Sequence, residues 1–163
     1  MTPTLAGDGV VLRPLAISDT EALFVALSDP DVQHYRRAAP HADLAETQSY
    51  IETGIACGLA WAITENGGEA LGRLALRING DVGEFGIVIR RAAQGRGLGR
   101  KAITLASAWA FEDLGMTKLT ADIDAENAAS IALFTRCGFI QDAYRACYRT
   151  TKLGLRDGVI LST

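Results

Sequence analysis

The stretch Gln94-Gly95-Arg96-Gly97-Leu98-Gly99-Arg100-Lys101 combines glycine and basic residues in the way a phosphate site needs. It follows an apolar run, Phe85-Gly86-Ile87-Val88-Ile89, and opens a helical pattern that runs toward Asp113. Alternate glycines let the backbone turn tightly and come close to a ligand. The first N–H groups of the helix lack intrahelical partners and lie at its positive end, which suits a phosphate or pyrophosphate. Arg96, Arg100 and Lys101 add full positive charge. The same glycines also suit a plain tight connection between strand and helix. Two familiar phosphate loops fail on spacing. The dinucleotide pattern G-x-G-x-x-G needs glycine where Arg100 stands. The P-loop needs Lys directly after Gly99 and then Ser or Thr, whereas Arg100 follows Gly99 and Ala102 follows Lys101. The pattern that fits is Q/R-x-x-G-x-G/A, as Gln94-x-x-Gly97-x-Gly99.

Bulk properties narrow the classes. A chain of 163 residues is expected to form one domain, 1–163, with a sizeable core. Its 48% hydrophobic and 21% charged content is that of a globular fold. A net charge of -3 argues against a general nucleic-acid binder, so the basic loop is a local feature that fits a small anionic ligand. No apolar run approaches the roughly 18 residues of a membrane span, and Met1-Thr2-Pro3-Thr4 does not read as a signal peptide. Cys57, Cys137 and Cys147, without C-x-x-C spacing, suggest reduced thiols and a cytoplasmic location. No histidine lies near Cys137 or Cys147, so these read as small core residues rather than nucleophiles. His34 and His41 make no metal pattern with them, and no metal is expected.

Periodicity supplies the elements that must position the loop. Val10–Leu15 reads as a strand stopped near Pro14, and Ser18 with Glu21 as a capping box for a helix ended by Asp29-Pro30. Asp43 with Glu46 repeats the capping signal, with Leu44, Ile51 and Ile55 on one face. The polar segment 31–42 between these helices suits a specificity loop or a solvated connection. Ala60–Ile63, Leu71–Ile78 and Val82–Ile89 read as strands joined by glycine turns, the last feeding the glycine loop. Leu98, Ala102, Leu105 and Trp109 mark the next helix. Leu119–Ile123 is a strand, and Asn127 caps a helix with Ile131 and Phe134 inward, closed by Gly138. Phe139–Cys147 and Val159–Leu161 supply two last strands around Gly154–Gly158. The string β-α-α-β-β-β-α-β-α-β-β predicts an α+β fold with a mixed, mostly antiparallel twisted sheet flanked by helices.

This order, with the glycine loop, resembles the GNAT superfamily of N-acetyltransferases, and most of all its ribosomal-protein N-acetyltransferase group. The carriers are Leu12-Arg13-Pro14-Leu15 with Asp19, Glu84-Phe85-Gly86, the glycine loop, Asn127-Ala128-Ala129-Ser130, Cys137-Gly138-Phe139 and Arg156-Asp157-Gly158. The resemblance implies acetyl-coenzyme A as cosubstrate and a primary amine, a peptide N-terminus or small molecule, as acceptor, with no metal, nucleic acid or membrane as partner. It implies a slot beside the strand before the loop, where backbone groups of Ile87, Val88 and Ile89 pair with the pantetheine arm. The pyrophosphate would lie on N–H groups from Gly95 to Arg100, in the loop Gln94, Gly95, Arg96, Gly97, Leu98, Gly99 and Arg100. Asn127 would hold the arm from the far side, alongside its role as a cap, and Phe134 would lie by the sulfur. A monomer or a homodimer is compatible with all of this.

The reaction so implied is direct attack of a neutral amine on a thioester, which needs no covalent enzyme intermediate. A carboxylate that takes the amine proton is useful, because free amines titrate near about 8 to 10. The resemblance assigns that role to Glu84, which reads equally as a strand-edge charge or an ion pair with Arg73 or Arg77. Many relatives carry a tyrosine as general acid where this chain has Phe134. Ser130 is the substitute the ribosomal-protein group suggests, with Tyr144 or water as the others. The missing tyrosine also leaves a second class open, a non-catalytic coenzyme A-binding or sensor module.

Overall fold

Period-two alternation and short glycine turns make much of this chain into one sheet, which the computed structural model describes over residues 1–163. The strands are β1 (Leu5–Gly7), β2 (Val10–Pro14), β3 (Leu59–Thr64), β4 (Gly72–Asn79), β5 (Val82–Ile89), β6 (Lys118–Asp124), β7 (Ile140–Thr151) and β8 (Gly154–Ser162). They lie in the order β1-β2-β3-β4-β5-β6-β8-β7, and every neighbouring pair is antiparallel except β5 with β6. The helices are α1 (Thr20–Leu27), α2 (Leu44–Ala56), α3 (Leu98–Glu112) and α4 (Ala128–Arg136). This is the expected α+β class. No helix is long and apolar enough to cross a membrane.

Each face of the sheet carries its own core. Leu74, Leu76, Phe85, Leu119, Ala121 and Ile123 pack against Ala102, Ile103 and Ala106 of α3 and Phe134 of α4. On the other face Ala60, Ala62 and Val88 meet Leu23, Ala26 and Leu27 of α1 and Ile51 of α2. Along β3, Trp61 and Ile63 therefore serve one core while Ala60 and Ala62 serve the other. The Arg13–Asp19 pair has a clear physical role. The Arg13 guanidinium grips the Asp19 carboxylate at 2.9 and 2.6 Å and also donates to the carbonyls of Gly67 and Gly68, joining β2, the start of α1 and the β3–β4 turn.

The local signals fare unequally. The Asp43 carboxylate accepts the Glu46 N–H at 2.8 Å and the Glu46 carboxylate accepts the Ala42 N–H at 2.8 Å, which starts α2 as expected. Gly138, at φ +91, closes α4, with the Phe139 N–H on the Phe134 carbonyl at 3.1 Å. Ser18 does not cap the first helix. A 3-10 turn, Ile17–Asp19, precedes α1, and Asp19, already fixed by Arg13, accepts the Ala16 N–H at 3.0 Å. Leu44 and Ile55 are exposed, and the buried line of α2 runs through Thr47 and Ile51. Ile78, at the rim of β4, is exposed as well. Leu5–Gly7 adds a strand to the expected order, pairing with β2 across Asp8-Gly9. The last hairpin is longer than expected. It turns at Lys152-Leu153, so Gly154–Gly158 lies within β8. The edge strand β7 is largely exposed and bulged between Arg145 and Arg149, which erases its alternation.

Candidate functional site

The site is made by two strands that part. β5 and β6 pair only through Val82, Gly83 and Glu84 with Lys118, Leu119 and Thr120. Beyond that point β5 stays on β4 as far as Ile89 with Gly72, while β6 stays on β8 as far as Asp124 with Gly158. The β6-facing edge of β5 from Phe85 to Ile89 thus has no strand partner, and a wedge-shaped slot opens between the strands. Unpaired backbone edges of this kind are ready to hydrogen-bond an extended guest. Two open hollows mark the surface, the first at the β6 side of the slot and the second away from it. One of about 300 Å³ lies by Asp124, Tyr144 and Arg156, and one of about 620 Å³ lies by Pro14 and Ile55. The slot is defined by where pairing stops, not by an enclosed hollow.

The glycine loop sits at the open end of this slot. A 3-10 turn, Arg91–Ala93, leads into it. Gly95 and Gly97 take φ +75 and +76, a region where other residues are strained, and a Cβ at either would meet nothing. Gly97 is the N-cap of α3. The N–H groups from Gly95 to Arg100 find no acceptor in the chain, and the first such bond on this side is Lys101 N–H to the Gly97 carbonyl at 3.1 Å. Gly99 is there for packing: a Cβ would press on Ile89 and Leu133, each at 3.2 Å. The Gln94 amide donates to the Ile89 carbonyl at 3.0 Å, so it braces the loop against the end of β5. Arg96 pairs with Glu65, and Arg100 is exposed.

The groups on α4 and β7 separate clearly. Asn127 caps α4, its side-chain oxygen accepting the Ser130 N–H at 3.2 Å. Ser130 is half-buried in the first turn, and its hydroxyl makes no hydrogen bond within the chain. Phe134 is 2% exposed and packs edge-on against Phe139 at 5.1 Å, so its ring belongs to the core behind the slot. Tyr144 lies exposed on β7 and donates to Asp157, which holds its phenol above the usual range. Cys137 has its Sγ 3.8 Å from the Arg100 carbonyl, and burial pushes its thiol up, which makes it a poor nucleophile.

On the α1–α2 face, Glu84 bonds Arg77 directly across β4 at 3.0 Å. That is the second of the two pairings open from sequence. Both partners are well exposed, so the pair leaves the carboxylate reachable. Thr120, Asp122 and Asp124 alternate with the core residues Leu119, Ala121 and Ile123 and face the same side as Glu84. Asp122 pairs with Arg149 and takes Arg37 at 3.4 Å. Asp122 lies within the strand expected at Leu119–Ile123 and is not among the expected site residues. The alternation of Thr120, Asp122 and Asp124 is the signal that identifies it. No group of His, Cys, Asp and Glu is arranged to hold a metal ion.

Comparison with known proteins places the family and the fold. Residues 10–140 match the family model described as the Acetyltransferase (GNAT) domain. The chain is 24% identical over 170 residues to p20 of Bacillus licheniformis, an uncharacterized N-acetyltransferase, covering 98% of this chain and 94% of p20. It spans only 39% of the N-acetyltransferase 9-like protein of Caenorhabditis briggsae, with 31% identity over 77 residues. Among solved structures, a GNAT-family acetyltransferase from Bacillus anthracis superposes with TM-score 0.91 at 16% identity, covering 99% of this chain and 98% of that one. Spermidine N-acetyltransferase from Vibrio cholerae, solved in complex with CoA and spermine, gives 0.84 at 20% identity, with 96% of each chain covered. The mixed sheet and its four helices make the fold that these acetyltransferase structures share. The chain belongs to the GNAT acetyltransferase family.

The far wall of the slot depends on one ion pair. Asp124 is 2% exposed and receives both the Nε and Nη2 of Arg156 at 3.0 Å. Burial alone would raise its pKa, but the Arg156 bonds and the Glu126 N–H outweigh that and hold it below the usual carboxylate range. The folded value is thus below the unfolded one of about 3.9. The contribution to stability is complete above that value and is lost as pH falls through the folded pKa. Asp124→Asn is expected to lower stability at neutral pH and to flatten the acid limb below about pH 4. Urea midpoints measured against pH check this, and a limb unchanged from the parent would show that Asp124 gains nothing from Arg156.

Proposed function

We propose that residues 1–163 form one acetyl-coenzyme A-dependent N-acetyltransferase domain that moves an acetyl group to a primary amine, a peptide N-terminus or a small molecule, by direct attack in a ternary complex. The observation that carries the reading is the run of N–H groups from Gly95 to Arg100 without acceptors, at the open end of a slot with a free strand edge. A pyrophosphate matches the first and a pantetheine arm matches the second. The open space over Gly95 and Gly97 supports the fit, since any side chain there would stand in the ligand's approach.

In this reading the cosubstrate supplies the acetyl group as a thioester, and the chain's own residues bind, orient and move protons. Backbone groups of Ile87, Val88 and Ile89 on the edge of β5 away from β4 hold the arm, apart from the Ile89 carbonyl, which Gln94 occupies. Gln94 keeps the loop in shape, Arg96 and Arg100 add charge, and Leu98 and Gly99 let α3 start where the phosphates lie. Asn127 positions the start of α4 across the slot, and Phe134 backs it from the core. Glu84 takes the amine proton, directly or through water. The amine lone pair forms the new C–N bond, the C–S bond breaks, and Ser130 donates a hydrogen bond to the departing thiolate.

The direct test is calorimetry of coenzyme A. Gly97→Val forces a β-branched residue to φ +76 and removes the loop's shape. Affinity is expected to fall about tenfold or more in a variant that still unfolds cooperatively, since several charge-assisted bonds are lost together. Unchanged affinity would remove the loop as the cofactor site. Glu84→Gln is expected to slow turnover at neutral pH by roughly 10²- to 10⁴-fold and to recover at high pH, where the amine deprotonates unaided. A pH–rate profile like the parent's would make Glu84 structural only.

Phe134, which has no proton to give, is the observation that favours a coenzyme A-binding module without catalysis. Release of free thiol from acetyl-coenzyme A with a panel of amines separates the two readings. The same assay tests the acid. Ser130→Ala is expected to lower the maximal rate more than it weakens acetyl-coenzyme A binding, because the hydroxyl bond strengthens as the thiolate forms. Tyr144→Phe is expected to do less, as Tyr144 already donates to Asp157. A larger loss with Tyr144→Phe would transfer the role to Tyr144.

A further inference from the structure

Beside the slot, two guanidinium groups converge on a single hydroxyl. The Tyr50 oxygen accepts from Arg36 at 3.0 Å and from Arg73 at 2.6 Å. Arg73 also lies over the Tyr50 ring, 4.7 Å from its centroid. Neither arginine has a carboxylate partner. The Arg73 Nε is fully enclosed and bonds nothing. A partly buried cation normally carries a counter-charge, because its desolvation is otherwise uncompensated. Here burial pushes the Arg73 guanidinium down; Tyr50 opposes this, and the nearby charges of Arg36 and Arg77 add to it.

The fold makes room for this arrangement. A Cβ on Gly54 of α2 would come within 2.7 Å of the Arg73 Nη2, so the missing side chain lets the guanidinium lie against the helix. The carboxylates near the slot are already engaged, Glu84 by Arg77 and Asp122 by Arg149 and Arg37. The position is also specific. Arg73 stands on β4 on the same face as Arg77, which pairs with Glu84. Arg36 precedes Arg37, which reaches across to Asp122 on the far wall. The two cations therefore lie on the same face of the sheet as Glu84, with β5 between Arg73 and the slot.

We propose that Arg36 and Arg73 hold an oxyanion, a carboxylate or a phosphate, carried by the acceptor itself, so that the substrate class is a primary amine bearing an anionic group. The inference rests on the acetyl-transfer reading above and adds the acceptor's charge to it. Arg73 and Arg77 are four residues apart on β4, about 13 Å along the strand. The oxyanion thus binds apart from the amine and not on the neighbouring carbon, as in an amino-sugar phosphate or a short peptide with a carboxylate. A polyamine, cationic along its length, meets like charge at this position.

The test compares matched acceptors on protein saturated with acetyl-coenzyme A: glucosamine against glucosamine 6-phosphate, and a dipeptide amide against the same dipeptide with a free carboxylate, with spermidine alongside. The anionic member of at least one pair is expected to be preferred about tenfold or more in kcat/KM, the phosphate and carboxylate pairs separating the two sources of charge, and spermidine is expected to be the poorest acceptor. In Arg36→Gln and Arg73→Gln the preference is expected to fall toward one. Equal kcat/KM within both pairs, or a preference that survives in both variants, overturns the inference. If coenzyme A binds but no amine is acetylated, the acetyl-transfer reading fails, and inorganic phosphate decides the anion site independently. Phosphate added to coenzyme A-loaded protein is expected to raise the melting temperature of the parent and not of Arg73→Gln. An equal shift in both, or none in the parent, overturns the site.

Discussion

The separation of β5 from β6 is the constraint on which the rest depends. Parallel pairing that stops after Glu84 and Thr120 leaves backbone groups without partners, and such groups are costly unless water or a ligand meets them. The strands stay apart because each is held on its outer side. β5 runs with β4 over its whole length, and its end is tied back by Arg90 N–H on the Leu71 carbonyl at 2.9 Å and by Gln94 on Ile89. β6 runs with β8, and its end is held by Arg156 on Asp124. The slot is therefore not a defect in one sheet. It is the gap between two well-paired half-sheets joined at Val82–Glu84.

Charge is arranged differently on the two sides of that gap. At the loop it comes from peptide N–H groups at the start of α3, which are fixed by the backbone and need no flexible side chain. On the α1–α2 face it comes from arginines, most of them committed: Arg77 to Glu84, Arg149 and Arg37 to Asp122. Arg36 and Arg73 are the pair without an acid. A net charge of -3 conceals this, because net charge sums over the whole surface while binding depends on a few groups placed together.

Features set by near neighbours in the chain were legible from sequence. The glycine loop, the Asn127 and Asp43 caps and the Gly138 stop each depend on residues within a few positions. The Arg77–Glu84 pair was within reach, because the turn at Gly80-Asp81 fixes which residues of β4 and β5 face each other. Where tertiary contacts compete with local ones, the sequence misled. Ser18 with Glu21 had the pattern of a capping box, yet Arg13 had already fixed Asp19 and with it the start of α1. Leu44 and Ile55 fitted a helical stripe, but Thr47 and Ile51 are the residues turned to the sheet. The Arg36–Tyr50–Arg73 cluster joins a loop, a helix and a strand, and no local pattern links them.

The segment between α1 and α2 shows how such a cluster is kept in place. It is held at two places, on α1 and at the β7–β8 turn. The Gln33 side chain, 2% exposed, donates to the Ala26 carbonyl at 3.0 Å and anchors the segment to α1. At the β7–β8 turn, the Lys152 ammonium meets the carbonyls of Gln33, Arg36 and Ala38, and the Lys152 backbone N–H donates to the Arg37 carbonyl at 3.1 Å. Arg37 meanwhile reaches Asp122 across the slot. A polar loop of this kind would otherwise sample many conformations. Tied at the hairpin, it holds Arg36 beside Arg73 in spite of their mutual repulsion. The β7–β8 hairpin is thus a structural support for the α1–α2 segment, and with it for the Arg36–Tyr50–Arg73 cluster.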